Sequence, residues 1–577
     1  MYMKYQVPIP ESVSGITIKK IKKTSYVYYA YESYYDAEKG YSVPSTTTIG
    51  KIDDAPAGMM YPNTNFIKFF PDIELPDETS RKMEARSSCL RVGTFFVIRR
   101  IMAEYHLDQM IDRIIGKDAG LFLDLAAYSL ITENNAGQYY PEYAYNHPLL
   151  TSGMRIYSDS KVSDFLKDCT IDQRVAFLNE WNEKRDHRER IYISYDSTNK
   201  HCQAGDIELA EFGHEKDKQD KPIFNYAIAY DRNNREPLFY EDYPGSINDI
   251  SQLQFMLEKA AGYGYKRVGF ILDRGYFSEP NIRYMDKCGY DFVIMVKGEK
   301  DLVSEIILKH KGMFEQDRSK SIRAYKVNGM TVKHTLYPSD EKERYFHIYY
   351  SDGKHAGERE TVESRVDTMK AFLERNQGNK VSLGEGFRKY FELIYHNEGK
   401  DDERLVFWDE KTNVVNREIS LCGYFVIITS EKMTAEEALI LYKSRDASEK
   451  LFRGDKSYLG QRSMRCHLDE SIETKIFIEF VALIVRNRIY TRLKDEVKNA
   501  GKKDNYMTVP AAIKELEKIE MIRFSDNRYR LDHAVTATQK AILKAFSMTA
   551  ADIRVLSKNL SDELQQLIEA ESADVVA

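Results

Sequence analysis

The chain has 577 residues, 84 Lys+Arg against 90 Asp+Glu for a formal charge of −6, and is 42% apolar and 30% charged. That length exceeds one ordinary domain and predicts several, with enough apolar residues for real cores. The charge balance excludes attraction to nucleic acid by global charge, so any such partner must be met by a local patch. Six cysteines (Cys89, Cys169, Cys202, Cys288, Cys422, Cys466) lie far apart with no Cys-x-x-Cys. This argues against a zinc module and a secreted disulfide framework, and predicts a reducing, cytoplasmic setting. The first residues, MYMKYQVPIPESVSG, lack the apolar run of a signal peptide. The greasiest run, IFIEFVALIV (476–485), is interrupted by Glu479 and followed by Arg486 and Arg488. It is too short to cross a bilayer and predicts a buried core helix, so no membrane role is expected.

Residues 16–52 are rich in Tyr, Thr, Val and Ile around a turn at DAEKG and predict strands, part of an N-terminal β-rich module over 1–75. Lys19, Lys20, Lys22 and Lys23 interleave there with Tyr26, Tyr28 and Tyr29, which suits either a solvated lysine edge or a DNA-contacting surface. Residues 80–185 switch to helical apolar spacing, as in TFFVIRRIMAEYHLDQMIDRII. From 189 the pattern becomes β-β-β-α-β-α-β. RIYISYD alternates, NYAIAYD and PLFYEDY flank the turn RNNRE as a hairpin, and RVGFILD and DFVIMVK read as strands covered on both faces. A first core segment is therefore expected over 186–298. Residues 299–430 mix strand-like pieces with the charged segment GERETVESRVDTMKAFLERN, and a β-rich insertion is expected. A second core segment, 431–495, and a C-terminal helical region, 496–577, complete the order.

Asp196 and Asp273 end the strands RIYISYD and RVGFILD. Chemistry in open α/β sheets gathers at such carboxyl ends, although one aspartate there alone reads more simply as a turn former or helix cap. Asp273 adds the argument that a carboxylate after GFIL is partly buried and needs a partner. A third acid comes from LYKSRDASEKLFRGDKSYLG (441–460). On one helix, Tyr442, Arg445, Glu449 and Lys456 fall at about −60°, −20° and −40° from the tyrosine, a single stripe. Leu441, Ser448, Leu451 and Phe452 adjoin it. Salt pairs on a surface helix would explain the charges but not the tyrosine. Three carboxylates without His or Cys suit hard cations, two Mg²⁺ or Mn²⁺ ions, which roughly 3.5–4 Å apart serve phosphoryl transfer. Over 442–465 seven basic residues, among them Lys450, Arg453 and Lys456, outnumber the acids Asp446, Glu449 and Asp455, which makes this the best phosphate-binding stretch. His201 and His214 form no metal-ligand pair and are expected as surface residues or DNA contacts. No phosphate-cradling Gly-rich loop is present, so no nucleotide cofactor is expected.

With those residues in place, the chain resembles the DDE transposases of bacterial insertion sequences. Tyr442, Arg445, Glu449 and Lys456 match the spacing Tyr-x2-Arg-x3-Glu-x6-Lys of one branch, and ISYDSTNKH and ILDRGYFSEPNI resemble the contexts of its first two acids. The resemblance implies an α/β fold, a ribonuclease H-like core interrupted by a β-rich insertion. It implies Asp196, Asp273 and Glu449 as the catalytic, metal-binding triad, and Tyr442, Arg445 and Lys456 on DNA phosphates, beside Lys450 and Arg453. It further implies binding of terminal inverted repeats through a region such as 80–185, metal-dependent cleavage, strand transfer into target double-stranded DNA, and a homodimer on two ends. The alternatives are a ribonuclease H-like nuclease without strand transfer and a DNA-binding relative without catalysis.

Overall fold

The computed structural model describes residues 2–576 apart from 4–5, 11–12, 22–23, 37–39, 53–57, 72–85, 186–189, 203–206, 214–220, 248, 266, 401, 446–462, 465, 467 and 504–505. Residues 7–62 form a five-stranded antiparallel sheet around its own small core of Val7, Val27, Ile49, Met60 and Phe66. Its long strands, Thr24–Asp36 and Tyr41–Ile52, pair along their length. At the far end of this ribbon Tyr31, Tyr34, Tyr35 and Tyr41 are all exposed.

The centre of the molecule is a ten-stranded sheet. Its strands in chain order are β1 (Ile191–Cys202), β2 (Ile223–Asp231), β3 (Glu236–Pro244), β4 (Val268–Leu272), β5 (Asp291–Met295), β6 (Ser321–Ile322), β7 (Val327–Thr335), β8 (Glu343–Tyr350), β9 (Tyr424–Thr429) and β10 (Ser463–Met464). Across the sheet the order is β6-β7-β8-β9-β5-β4-β1-β2-β3, with β10 paired to β1. Helices α1 (Asp249–Gly262) and α2 (Glu279–Cys288) connect β3 to β4 and β4 to β5, so the expected β-β-β-α-β-α-β order is present. The β2–β3 hairpin turns on Asp231, whose carboxylate accepts the backbone N–H groups of Asn233 (2.8 Å) and Asn234 (3.2 Å). β4 is buried at all five positions, as its continuous apolar run requires. At about 1.5–3 kcal/mol per fully buried large apolar side chain, Phe270, Ile271 and Leu272 alone anchor it firmly.

Strand alternation sorts the sheet into two faces. Ile193, Tyr195, Phe270, Leu272 and Ile294 enter the main core, with Leu253 and Met256 of α1 and Ile282 and Met285 of α2. Ile271, Val293, Tyr349 and Ile427 point the other way, onto α3 (Ala435–Lys443). The helices of 93–183 do not keep a core of their own. They share the main core with the sheet and with α4 (Asp469–Asn499), whose apolar run is buried as expected. Among the described residues no helix is long and apolar enough to cross a membrane.

The stretch expected as one insertion, 299–430, divides. β7, β8 and β9 extend the central sheet, because β9 pairs antiparallel with β5 and with β8. Only residues 352–423 stand off, with a 25-residue helix (Asp352–Asn376) and a two-stranded sheet around Leu373, Tyr390, Phe391 and Leu405. Strand composition is the same whichever sheet receives it, so the sequence pattern cannot separate the two parts.

His347 of β8 is fully buried between Thr331 and Thr429, 2.9 Å from each hydroxyl. Burial pushes its pKa down to about 4 from 6.5. The imidazole is neutral in the fold and takes up a proton on unfolding. Its contribution is complete above pH 6.5 and is lost as the pH falls through 4. Stability should therefore drop by up to about 3 kcal/mol between those limits through this residue. Urea unfolding of wild type and His347→Gln above pH 6.5 and near pH 4 measures it. The gap between the two proteins should narrow in acid, and an unchanged gap would refute the assignment.

Candidate active site

β1 and β4 run parallel with Tyr195 opposite Leu272, the last pair in the register. The next residue in each segment is an acid, Asp196 within β1 and Asp273 just past the end of β4 in extended backbone. Tyr195 and Leu272 enter the main core, so alternation turns both carboxylates to the opposite face, the one covered by α3. Neighbouring strands lie about 4.8 Å apart. The two acids expected to converge therefore stand side by side at the end of a parallel strand pair.

One expectation about Asp196 is corrected. β1 does not end there but continues to Cys202, paired with β2 (Asp196 opposite Ile228) and then with β10 (His201 opposite Ser463). What ends at Asp196 is the pairing with β4. The polar run STNKH stays in the sheet, and two of its side chains find buried partners. Asn199 donates to Asn225 Oδ1 at 2.7 Å, and Lys200 forms an ion pair with Glu479 of α4. His201 is accordingly buried rather than at the surface; His214 lies outside the described residues.

Asp273 starts the short 3-10 turn Arg274–Tyr276 but makes no side-chain capping bond. Its carboxylate instead receives the guanidinium of Arg445, in an ion pair with Asp273 37% and Arg445 16% exposed. Arg445 reaches it from the turn that follows α3. That helix begins with a Thr434–Glu437 capping box and lays Ala435, Ala438, Leu439 and Tyr442 against the sheet. Tyr349 Oη of β8 donates to Ala435 O at 2.7 Å and pins the helix. α3 closes at Lys443, and the Arg445 N–H bonds Tyr442 O at 3.2 Å in the turn that follows. The single continuous stripe expected from Tyr442 through Arg445 is thus broken by a helix end. The guanidinium still lies over the Tyr442 ring, 5.2 Å from its centroid, as a cation–π contact. Tyr442 itself is buried, 4% exposed.

Glu449, Lys450, Arg453 and Lys456, with Ser448, Leu451 and Phe452, lie outside the described residues. Among the described residues no group of three or more His, Cys, Asp or Glu is close enough to hold a metal ion. Asp196 and Asp273 offer carboxylate oxygens on one face. That donor set fits a hard divalent cation, with at least one further ligand needed from elsewhere.

Lys200 and Glu479 were overlooked as a pair. Both are almost fully buried, 1% and 2% exposed. Glu479 also accepts from Asn135 Nδ2 at 3.0 Å, and the Lys200 ammonium lies 5.0 Å from the Tyr226 ring centroid. Each left a trace in the sequence, a lysine in a strand-like stretch and a glutamate inside IFIEFVALIV. Their meeting across 279 positions did not.

A family model described as "Transposase DDE domain" matches residues 190–485, just over half of the chain. A comparison with curated proteins finds no match. Among solved structures, the chain is similar to a cryo-EM structure of a piggyBac transposase synaptic complex with hairpin DNA. The identity is 9% and the TM-score 0.29, over 62% of this chain and 57% of that one. The chain thus spans little more than half the length of that protein.

The buried ion pair makes a measurable claim. Glu479→Leu alone should cost about 3–5 kcal/mol by stranding the ammonium, whereas Lys200→Met with Glu479→Leu should recover most of that loss. Urea unfolding of the two single variants and the double variant closes the cycle. Additive losses would mean that the two charges do not interact.

Proposed function

The chain belongs to the transposase DDE-domain family, and from that premise we propose that it is a DNA transposase of the insertion-sequence type. In this reading it binds the terminal inverted repeats of its element, cleaves there in a metal-dependent reaction, and joins the freed 3′-hydroxyl to target DNA. The observation that carries the proposal is the placement of Asp196 and Asp273 next to each other on one face of the sheet, with Arg445 on Asp273. The strand order β3-β2-β1-β4-β5, antiparallel in its first three and parallel from β1 to β5, supports a ribonuclease H-like core.

Asp196 and Asp273, with Glu449 as third acid, would hold the cations, Mg²⁺ or Mn²⁺. Bound there, two such ions supply activation of the attacking hydroxyl and stabilisation of the leaving oxygen. The protein's own part is positional. Rigid strands fix two carboxylates, and Arg445 balances the charge of Asp273 while those acids crowd together. A guanidinium has five N–H donors in a planar fork, so Arg445 can serve Asp273 and a DNA phosphate at once. The Tyr442 ring supports the guanidinium from below, while Lys450, Arg453 and Lys456 would add the charge that holds the backbone. The active complex would be a homodimer on two element ends, formed where the DNA is, in the cytoplasm.

The second reading, a nuclease without joining, has the same acids, so the assay must score joining. A pre-cut element end incubated with target DNA and Mg²⁺ should give joined products; nicks alone would favour the nuclease. Asp196→Asn, Asp273→Asn and Glu449→Gln should each lower cleavage and joining by more than about 100-fold while duplex binding persists. Unchanged cleavage in these variants would remove the triad. Arg445→Ala should weaken cleavage or end binding yet leave Mn²⁺ binding in place, an outcome that a purely structural ion pair would not give.

A further inference from the structure

The C-terminal helix, Ala550–Val576, packs across a hairpin made of Glu520–Arg523 and Tyr529–Leu531. Between them lies an open cavity of about 270 Å³. Its rim carries four cations, Arg528, Arg530, Arg554 and Lys558, against one acid, Asp562. In a chain of net charge −6 this is a concentrated positive site. Arg530 pairs with Asp526, and Arg528 lies 3.7 Å from Asp562. Among the described residues no carboxylate pairs with Arg554 or Lys558. These two stand four residues apart on one helix, both exposed, a spacing at which like charges repel.

The floor of the cavity supplies a second, independent observation. Ser557 is 3% exposed and lines the cavity, and its Oγ has no hydrogen-bond partner among the described residues. A buried helical serine ordinarily bonds a carbonyl of the preceding turn. Its neighbour Ser561 is engaged, its Oγ accepting the Tyr529 N–H at 3.1 Å and locking the helix to the hairpin. A rigid hydroxyl beneath two uncompensated cations is the donor set of an oxyanion site.

We propose that this cavity binds phosphate groups of the DNA backbone, as a contact surface separate from the acid pair. It is built on a different sheet, the three-stranded one that the hairpin forms with Cys89–Arg91. The shared chemistry is a phosphate oxyanion. The open cavity and a rim of four cations suit a polymer of phosphates passing over it better than one small enclosed anion. The inference rests on the transposase reading in that it takes DNA as the partner.

The test measures binding of the full chain to a labelled duplex of arbitrary sequence across a salt series. Arg554→Ala with Lys558→Ala should weaken binding about tenfold or more and reduce the salt slope by about 2, equally for unrelated sequences. Arg554→Glu with Lys558→Glu should weaken it further. Both pairs are exposed, and unfolding midpoints matching wild type show that packing is intact. Ser557→Ala should give a smaller loss. Unchanged affinity and slope in both double variants would overturn the proposal. So would a calorimetric titration in which inorganic phosphate binding is lost in the variants while DNA affinity holds, since the site would then take free phosphate. Wild type that cleaves element ends normally alongside unimpaired double variants would sink this site alone. Wild type that binds no duplex would sink it together with the transposase reading.

Discussion

Parallel pairing of β1 with β4 sets Tyr195 opposite Leu272, and the candidate site follows from that register. Side chains on a strand alternate, so two core residues at the last paired position oblige the two following acids to face the other side together. A slip of one residue on either strand would send one carboxylate into the apolar core and separate the pair. The burial of β4 on both faces makes such a slip costly, because it would carry Phe270 and Leu272 out of the main core. The hydrophobic register thus aims groups that are themselves polar.

α3 completes the arrangement by the same means. Its capping box fixes its start, Tyr349 holds its first turn, and its apolar side fills the face of the sheet that Ile271 and Val293 present. Where the helix ends, Arg445 has Asp273 within reach. The guanidinium neutralises a carboxylate that would otherwise stand beside a second one, and its contact with Tyr442 ties that charge to the core beneath. On the same face of β1 as Asp196, Lys200 pairs with Glu479 and joins the strand to α4, so the strand carrying Asp196 is braced by the helical layer. A buried pair of this kind adds little net stability compared with apolar residues of the same size, but either charge alone would be heavily penalised.

Much of this arrangement is legible in the sequence. The β-β-β-α-β-α-β order, the hairpin at RNNRE and the buried helix at 476–485 follow from periodicity and turn chemistry, which act over a few residues. The two aspartates are visible because each follows a strand-like segment, Asp273 after a continuous apolar run. Two features have nonlocal causes. The strand expected to end at Asp196 continues through STNKH, where Asn199 and Lys200 have partners in distant segments, Asn225 and Glu479. That β7, β8 and β9 of the expected β-rich insertion add to the central sheet is nonlocal as well, since nothing in their composition names β5 as neighbour. Of the stripe expected at 442–456, the described helix closes at Lys443, Arg445 lies in the turn that follows, and the residues from 446 to 462 lie outside the described part.

The amino-acid sequence by itself therefore determined the elements, the candidate acids and their order along the chain, because propensity, periodicity and turn formation are local. Only the tertiary structure decided which strands are neighbours, and hence that Asp196 and Asp273 lie at adjacent strand positions, that Arg445 binds Asp273, and that Lys200 and Glu479 neutralise each other. Those outcomes depend on register and burial between segments far apart in the chain, where a side chain's partner is set by the sheet that delivers it and not by the residues beside it.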